Sequence, residues 1–83
     1  MSRVVVITGV LGGIGAATAQ RFQHAGWQVV GVDLGQPPQT PEAVDCFLAA
    51  DVADAEAWEE ISQRVSAQMG RVDAVVNNAA VQV

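Results

Sequence analysis

The chain has 83 residues, of which 51% are hydrophobic and 16% charged, and its net charge is −5. Its cationic side chains are four arginines without any lysine. This composition leaves no basic patch, so we expect neither nucleic acid nor a membrane among its partners. So few charges on so small a chain indicate that further chain or a partner covers some of its apolar surface.

The single cysteine and the hydropathy pattern bear on where the protein works. Cys46 has no partner for an internal disulfide, and we interpret it as a buried structural thiol in a reducing compartment. The apolar run at residues 4–7 is too short for a transmembrane helix, and we recognise no secretory signal peptide. We therefore expect a cytoplasmic protein.

The first predicted element is a strand over Val4–Thr8, whose side chains are apolar on both faces until the last residue. This pattern is typical of a parallel strand covered on both sides. In the turn that follows, Gly9 permits a sharp bend, while Gly13 and Gly15 let the backbone approach a ligand and the helix approach the strand. The N-terminus of a helix carries unpaired N–H groups and a partial positive charge, so the turn predicts a site for phosphate or pyrophosphate.

A helix is predicted over residues 13–25, with Gly26 as its C-terminal cap. His24 lies in the last turn, where a solvent-exposed position is expected. Because the chain has one histidine and no cysteine pair, we expect no metal site. At helical spacing, the face predicted to be buried consists of Ile14, Ala17 or Thr18, Phe22 and Ala25.

The second predicted strand covers Gln28–Asp33 and ends on a carboxylate. Asp33 follows Gly15 at roughly the twenty-residue spacing at which an acidic residue holds the ribose of NAD. This context favours dinucleotide binding over an incidental glycine turn. A phosphate loop would require Gly-Lys-Ser/Thr after the turn, which a chain without lysine does not supply.

The remaining elements complete the alternation of strands and helices. Residues 34–45 contain all three prolines, so we predict an irregular crossover with at most one helical turn. A third strand is predicted over residues 46–50, and a fourth over residues 72–77. Between them we predict a helix that is capped by Asp54 and ends at Gly70. Its core-facing stripe consists of Trp58, Ile61, Val65 and Met69.

This alternation predicts a doubly wound α/β fold with a parallel sheet in the order 3-2-1-4. That order is the N-terminal half of a Rossmann-like domain, so we interpret residues 1–83 as part of one larger domain. A ligand is expected at the carboxyl ends of the strands, where the order reverses between the first and the fourth. The glycine turn, Asp33, Asp51 and Asn78 all lie at that edge.

Three motifs in this order resemble the short-chain dehydrogenase/reductases: Thr8-Gly9-x-x-x-Gly13-Ile14-Gly15, Asp51-Val52 and Asn77-Asn78-Ala79. The resemblance covers nearly all of the chain but only the N-terminal part of a typical member. Two positions depart from the usual pattern. Ala80 stands where the family usually has glycine. Gly12 creates a second glycine pattern that is typical of the longer, extended relatives, although the Asn-Asn-Ala motif favours the ordinary short-chain group.

The resemblance implies that this part of the chain binds NAD. Asp33 would accept hydrogen bonds from the adenosine ribose, and Asp51 and Val52 would contact the adenine. Thr8 would bond toward the fourth strand, where Asn77 has a structural role. The implied cofactor-binding residues are Gly9, Leu11, Gly12, Gly13, Ile14, Gly15, Asp33, Leu34, Asp51, Val52, Asn78, Ala79 and Ala80.

The resemblance also implies hydride transfer between NAD and an alcohol or carbonyl substrate, with catalysis by a tyrosine, a lysine and a serine. The chain contains no tyrosine and no lysine. We therefore expect no catalytic residue within it and predict that these 83 residues alone are inactive. Full-length members would act on small molecules as homo-oligomers. Two other interpretations stay open: a non-catalytic NAD-binding or regulatory module, and a truncated, nonfunctional product.

Overall fold

The computed structural model describes residues 2–35, 37 and 39–78. Its elements in chain order are β1 Val4–Thr8, α1 Gly13–His24, β2 Gln28–Asp33, β3 Cys46–Ala49, α2 Ala55–Met69 and β4 Ala74–Asn77. The strands form one parallel sheet in the order β3-β2-β1-β4, which confirms the predicted order. Within the described residues, no helix combines the length and apolar character needed to cross a membrane.

Alternate residues of the strands point to opposite faces of the sheet and form two apolar cores. The core beneath α2 contains Val4, Val6, Val30, Val32, Leu48, Ile61 and Val65. The core on the α1 side contains Val5, Ile7, Val10, Ala19, Val29, Ala43 and Val44. Because helices cover both faces, all five residues of β1 are buried. Each fully buried aliphatic side chain contributes about 1.5–3 kcal/mol, so these cores hold the sheet together.

The buried face of α1 differs from the predicted one. Gly15 and Ala19 are buried and Phe22 is half-buried. A Cβ atom on Gly15 would lie 2.1 Å from the Gly9 carbonyl oxygen, so the contact between helix and turn requires glycine and fixes the rotation of α1. The predicted face is therefore wrong in part: Phe22 packs against the core and Thr18, the alternative to Ala17, is half-buried, but the face was chosen from hydrophobicity and not from this contact. The exposed residues that were predicted to be buried are Ile14, Ala17 and Ala25.

Both helices have the predicted kinds of ends. α1 ends at His24 with Ala25 as its C-cap, and Gly26 follows in a left-handed conformation at φ 88°. The predicted glycine cap at Gly26 is thus confirmed, while α1 ends one residue earlier than predicted. The Asp54 side chain caps α2, and Gly70 ends that helix at φ 77°, so both predicted boundaries of α2 are confirmed.

The apolar stripe of α2 packs against the sheet as predicted. Ile61 and Val65 are buried, and Trp58 and Met69 are half-buried against the same core. The indole N–H of Trp58 donates to the Val52 carbonyl oxygen at 2.8 Å. This bond fastens the first turn of α2 to the loop that follows β3.

The crossover between β2 and β3 is irregular. In the described part of residues 34–45 there is a turn but no helix, which confirms the prediction. The Val44 N–H donates to the Pro41 carbonyl oxygen at 3.0 Å. Ala43 and Val44 are buried on the α1 side of the sheet, so the crossover covers part of that face without a helix.

Two aspartates fix the amino ends of β3 and β4 in the same way. The Asp45 carboxylate accepts a hydrogen bond from the Val29 N–H at 2.7 Å, and the Asp45 N–H donates to the Val29 carbonyl oxygen at 2.8 Å. Asp73 makes the same two bonds with Val4, at 2.7 and 2.8 Å. β4 begins at Ala74, directly after this pair of bonds and two residues later than predicted.

Candidate functional site

The carboxyl ends of the strands open onto a cavity of about 620 Å³. The glycine turn after β1 and the segments after β2, β3 and β4 all contribute to its walls. The lining residues are Gly9, Leu11, Gly12, Val32, Asp33, Leu34, Ala50, Asp51, Val52, Ala53 and Asn78. Three predicted site residues, Gly13, Ile14 and Gly15, are not among them and lie in the first turn of α1. Ala79 and Ala80 lie outside the described residues.

The glycines of the turn have different tasks. Gly9 has a φ of 67°, a conformation that other residues rarely adopt. Its N–H donates to the Val32 carbonyl oxygen at 2.8 Å, and its carbonyl oxygen accepts from the Gly12 N–H at 3.1 Å. Gly15 permits the close contact of α1 with the turn, whereas a Cβ atom on Gly13 would meet nothing within 4 Å. Gly13 is therefore not needed for packing, and its bare backbone faces open space.

The N-terminus of α1 is arranged to accept an anion. Its N-cap is Gly12, which has no side chain to bond the N–H groups of the first turn, and no acidic residue lies in that turn. Gly12 and Gly13 are both exposed. The free N–H groups and the positive end of the helix dipole can therefore meet a phosphate without displacing a side chain.

The Asp33 carboxylate stands at the end of β2, beside the glycine turn. One of its oxygens, Oδ2, accepts a hydrogen bond from the Leu11 N–H at 2.9 Å, and the other, Oδ1, accepts from the Leu34 N–H at 2.8 Å. A carboxylate oxygen accepts about two hydrogen bonds, so each oxygen keeps capacity for one more donor. Two hydroxyl groups of a ligand can thus bind here while both backbone bonds stay in place.

The lining of the cavity also combines apolar side chains with a tight turn. Leu34 is 72% exposed and Leu11 is 41% exposed, and Val52 is half-buried beside them in the lining. The Asp51 carboxylate accepts a hydrogen bond from the Ala53 N–H at 2.9 Å. Asp51 therefore shapes the loop after β3, and the exposed leucines offer an apolar surface to a flat ring.

Thr8 links the end of β1 to the end of β4. Its side chain is fully buried. The hydroxyl donates to Asn77 Oδ1 at 2.9 Å and accepts a hydrogen bond from the Asn78 N–H at 3.0 Å. The predicted bond from Thr8 toward the fourth strand is confirmed, and it positions the backbone of Asn78 at the cavity.

Three lining residues were not predicted from the sequence: Val32, Ala50 and Ala53. Val32 and Ala50 each precede a predicted carboxylate, and Ala53 follows Asp51 and Val52. Their apolar side chains carry no chemical signal. Counting the neighbours of each predicted carboxylate as site residues would have included Val32 and Ala50.

Cys46 lies at the amino end of β3, away from the cavity. It is half-buried, not fully buried as predicted, and its thiol donates to Gln68 Oε1 at 3.1 Å. Burial raises the pKa of the Cys46 thiol, which disfavours the reactive thiolate. The environment therefore suits a structural thiol.

Comparison with known proteins agrees with this geometry. A sequence profile of the short chain dehydrogenase family matches residues 3–83. The chain is 38% identical to meso-2,3-butanediol dehydrogenase of Serratia marcescens, over 99% of this chain and 35% of that protein. It is also 38% identical to an uncharacterised oxidoreductase of Schizosaccharomyces pombe, over 93% of this chain and 30% of that protein.

Solved structures share the fold. The 3-ketoacyl-(acyl-carrier-protein) reductase from Brucella melitensis complexed with NADH superimposes with a TM-score of 0.86 at 31% identity, over 95% of this chain and 34% of that one. An ElxO variant with NADPH bound gives a TM-score of 0.84 at 28% identity, over 100% of this chain and 37% of that one. The chain thus spans about a third of the length of the two relatives from Serratia marcescens and Schizosaccharomyces pombe. The profile match over residues 3–83 and the β3-β2-β1-β4 sheet show that the chain belongs to the short chain dehydrogenase family.

Proposed function

We propose that residues 1–83 form the NAD-binding part of an oxidoreductase that transfers hydride between NAD and an alcohol or carbonyl group. The observation that carries the proposal is the Asp33 carboxylate, which stands beside the glycine turn and keeps capacity for two hydroxyl donors. A cavity of about 620 Å³ lies within the range of small-molecule and cofactor sites.

The proposed binding mode follows the walls of the cavity. The pyrophosphate would lie at the N–H groups of the first turn of α1, where the backbone is bare at Gly12 and Gly13. The two hydroxyls of the adenosine ribose would donate to Asp33. The adenine would pack on the apolar surface formed by Leu34 and Val52. Asn78 would lie along the ribose on the side of the nicotinamide.

Asp33 favours NAD over NADP. In NAD the ribose offers two hydroxyl donors, and hydrogen bonds to a charged group contribute about 1.5–3 kcal/mol each. In NADP a phosphate replaces one of these hydroxyls and meets the carboxylate with the same sign of charge. No arginine is found among the described residues that line the cavity, so no cation compensates that repulsion. One of the similar structures holds NADH and another holds NADPH, so the fold alone does not distinguish the two cofactors. The proposed preference for NAD is therefore based on Asp33.

The chemistry of the complete reaction needs groups that this chain does not contain. NAD supplies the hydride acceptor when it is bound. Proton transfer by the mechanism that the resemblance to short-chain dehydrogenase/reductases implies would require a tyrosine and a lysine, and the chain has neither. We therefore propose that residues 1–83 hold and orient the cofactor and that a longer, cytoplasmic and homo-oligomeric protein reacts with a small-molecule substrate. Butanediol dehydrogenase and serine dehydrogenase relatives support an alcohol or carbonyl substrate class.

The test is the dissociation constant for each cofactor, measured by titration calorimetry on the wild type and on the double variant Asp33→Ser, Leu34→Arg. We expect the wild type to prefer NAD by about a hundredfold or more, which corresponds to about 3 kcal/mol. The double variant should narrow or reverse this ratio, because it removes the carboxylate and adds a cation. Asp54→Ser is the matched control, since it removes an exposed carboxylate outside the cavity and keeps a capping side chain. Equal affinities in the wild type would contradict the proposal.

A further inference from the structure

We propose that Asp33 is also a positioning residue, which holds the glycine turn in its phosphate-binding conformation before a cofactor arrives. The inference rests on the proposed function for the identity of the ligand. Its structural basis is the hydrogen bond from the Leu11 N–H to Asp33 Oδ2, which spans 22 positions of the chain at a length of 2.9 Å. Leu11 lies between Gly9 and Gly12, in the middle of the turn.

The other contacts of the turn hold its ends. The Gly9 N–H and the Val10 N–H both donate to the Val32 carbonyl oxygen, at 2.8 and 3.4 Å, and the Gly12 N–H donates to the Gly9 carbonyl oxygen at 3.1 Å. Val10 is buried, but Leu11 is 41% exposed. Packing therefore secures the base of the turn, whereas the Asp33 carboxylate secures its tip from the neighbouring strand.

The Leu34 N–H binds the second oxygen of the Asp33 carboxylate. It donates to Asp33 Oδ1 at 2.8 Å, so the two backbone bonds use both oxygens and restrict rotation of the carboxylate. The carboxylate in turn fixes Leu11 relative to β2. Because α1 begins at Gly13, two residues after Leu11, the direction of its first N–H groups depends on this bond.

The positioning role and the ribose role predict opposite effects on a ligand without ribose. If Asp33 served only the ribose, removing its negative charge would leave the affinity for a bare phosphate anion unchanged or raise it. If Asp33 positions the turn, removing it disorders the N–H groups that bind the anion and lowers the affinity. Inorganic pyrophosphate is the suitable probe, since it carries the phosphates of NAD and none of its hydroxyls.

The experiment compares the wild type, Asp33→Ser and Asp33→Asn in ¹⁵N-labelled chain, with pyrophosphate affinity read from the amide resonances of the glycine turn. We expect Asp33→Ser to weaken pyrophosphate binding by about tenfold or more, since tenfold corresponds to the lower end of what one hydrogen bond to a charged group contributes. Asp33→Asn keeps one acceptor oxygen without the charge, so its affinity should lie between the two. Asp54→Ser is the control for loss of charge and should leave the affinity unchanged.

Amide hydrogen exchange without any ligand is the second readout. The Leu11 amide should exchange more slowly in the wild type than in Asp33→Ser, while the Val29 and Val30 amides stay protected in both and show that the sheet is intact. Equal exchange at Leu11, or pyrophosphate binding by Asp33→Ser that is as tight as in the wild type, would overturn the inference. Failure of the wild type to bind NAD would overturn the proposed function instead, and the exchange at Leu11 would still decide the positioning role.

Discussion

Alanine substitutions at Gly15 and Gly13 separate the two tasks of the glycine turn. Gly15→Ala would place a Cβ atom 2.1 Å from the carbonyl oxygen of Gly9 and 2.9 Å from the Cα atom of Val10. Both atoms belong to the backbone, so relief of the clash requires α1 to move away from the glycine turn. We expect the free energy of unfolding to fall by about 1–3 kcal/mol, the usual cost of overpacking a core. For a domain of this size, each kcal/mol lowers the melting temperature by about 4–8 °C.

Gly13→Ala is the matched control, because it adds the same methyl group to the same turn. No atom lies within 4 Å of a Cβ at this position, and Gly13 does not adopt a positive φ. Alanine should therefore raise the free energy of unfolding by about 0.4–1 kcal/mol, since it restricts the unfolded chain. The same methyl group would stand where the pyrophosphate approaches, so the affinity for NAD should fall although stability rises.

Urea unfolding followed by tryptophan fluorescence measures the stability of both variants, and calorimetry measures NAD affinity for Gly13→Ala. We expect the urea midpoints of the two variants to shift in opposite directions from the wild-type value. If Gly15→Ala were as stable as the wild type, the close contact of α1 with the turn would not hold the helix in place. If both variants lost the same stability, the division of tasks between the two glycines would be refuted.

Three further predictions concern the strand ends and the chemistry. Thr8→Val removes a buried hydroxyl that bonds the Asn78 N–H, so the free energy of unfolding should fall by about 1–3 kcal/mol in urea titrations; an unchanged midpoint would contradict this. The side-chain hydrogen bond from Arg71, and then the one from the Val4 N–H, lower the pKa of the Asp73 carboxyl below its ordinary value of 3.8. The ionised Asp73 therefore stabilises the folded chain fully at a pH well above 3.8, and this stabilisation is lost as the pH falls through the lower folded-state pKa. Asp73→Asn should therefore flatten the decline of the urea midpoint as the pH falls below the ordinary carboxyl pKa, and parallel profiles for variant and wild type would refute the assignment. The purified chain should form no NADH from NAD and alcohols, because it has no tyrosine and no lysine; turnover that survives repurification would contradict this.

Periodicity and turn chemistry were sufficient to predict the sheet. β1 and β2 have the predicted bounds, because an apolar run that ends in a glycine or an aspartate has clear limits. The order of the strands follows from right-handed parallel crossovers, a rule that does not depend on individual side chains. Asp33 was recognised because a carboxylate at the end of the second strand has a known spacing from the glycine turn.

The rotation of α1 and the bonds of the turn could not be predicted in the same way. Ile14 has the hydrophobicity of a core residue, yet it is 73% exposed, because the contact of Gly15 with Gly9 determines which face meets the sheet. The bond between the Leu11 N–H and Asp33 depends on the three-dimensional path of the turn. Backbone donors have no sequence signature, so this contact is visible only in the structure.

Mapping NAD onto the ¹⁵N-labelled chain tests the central claim most directly. If residues 1–83 bind the cofactor as proposed, its addition should shift the amide resonances of the glycine turn, Leu34, Val52 and Asn78. Amides near the amino ends of the strands, such as those of Arg3 and Gly26, should stay unchanged and serve as internal controls. Shifts confined to the amino ends of the strands, or no shifts at saturating NAD, would contradict the account.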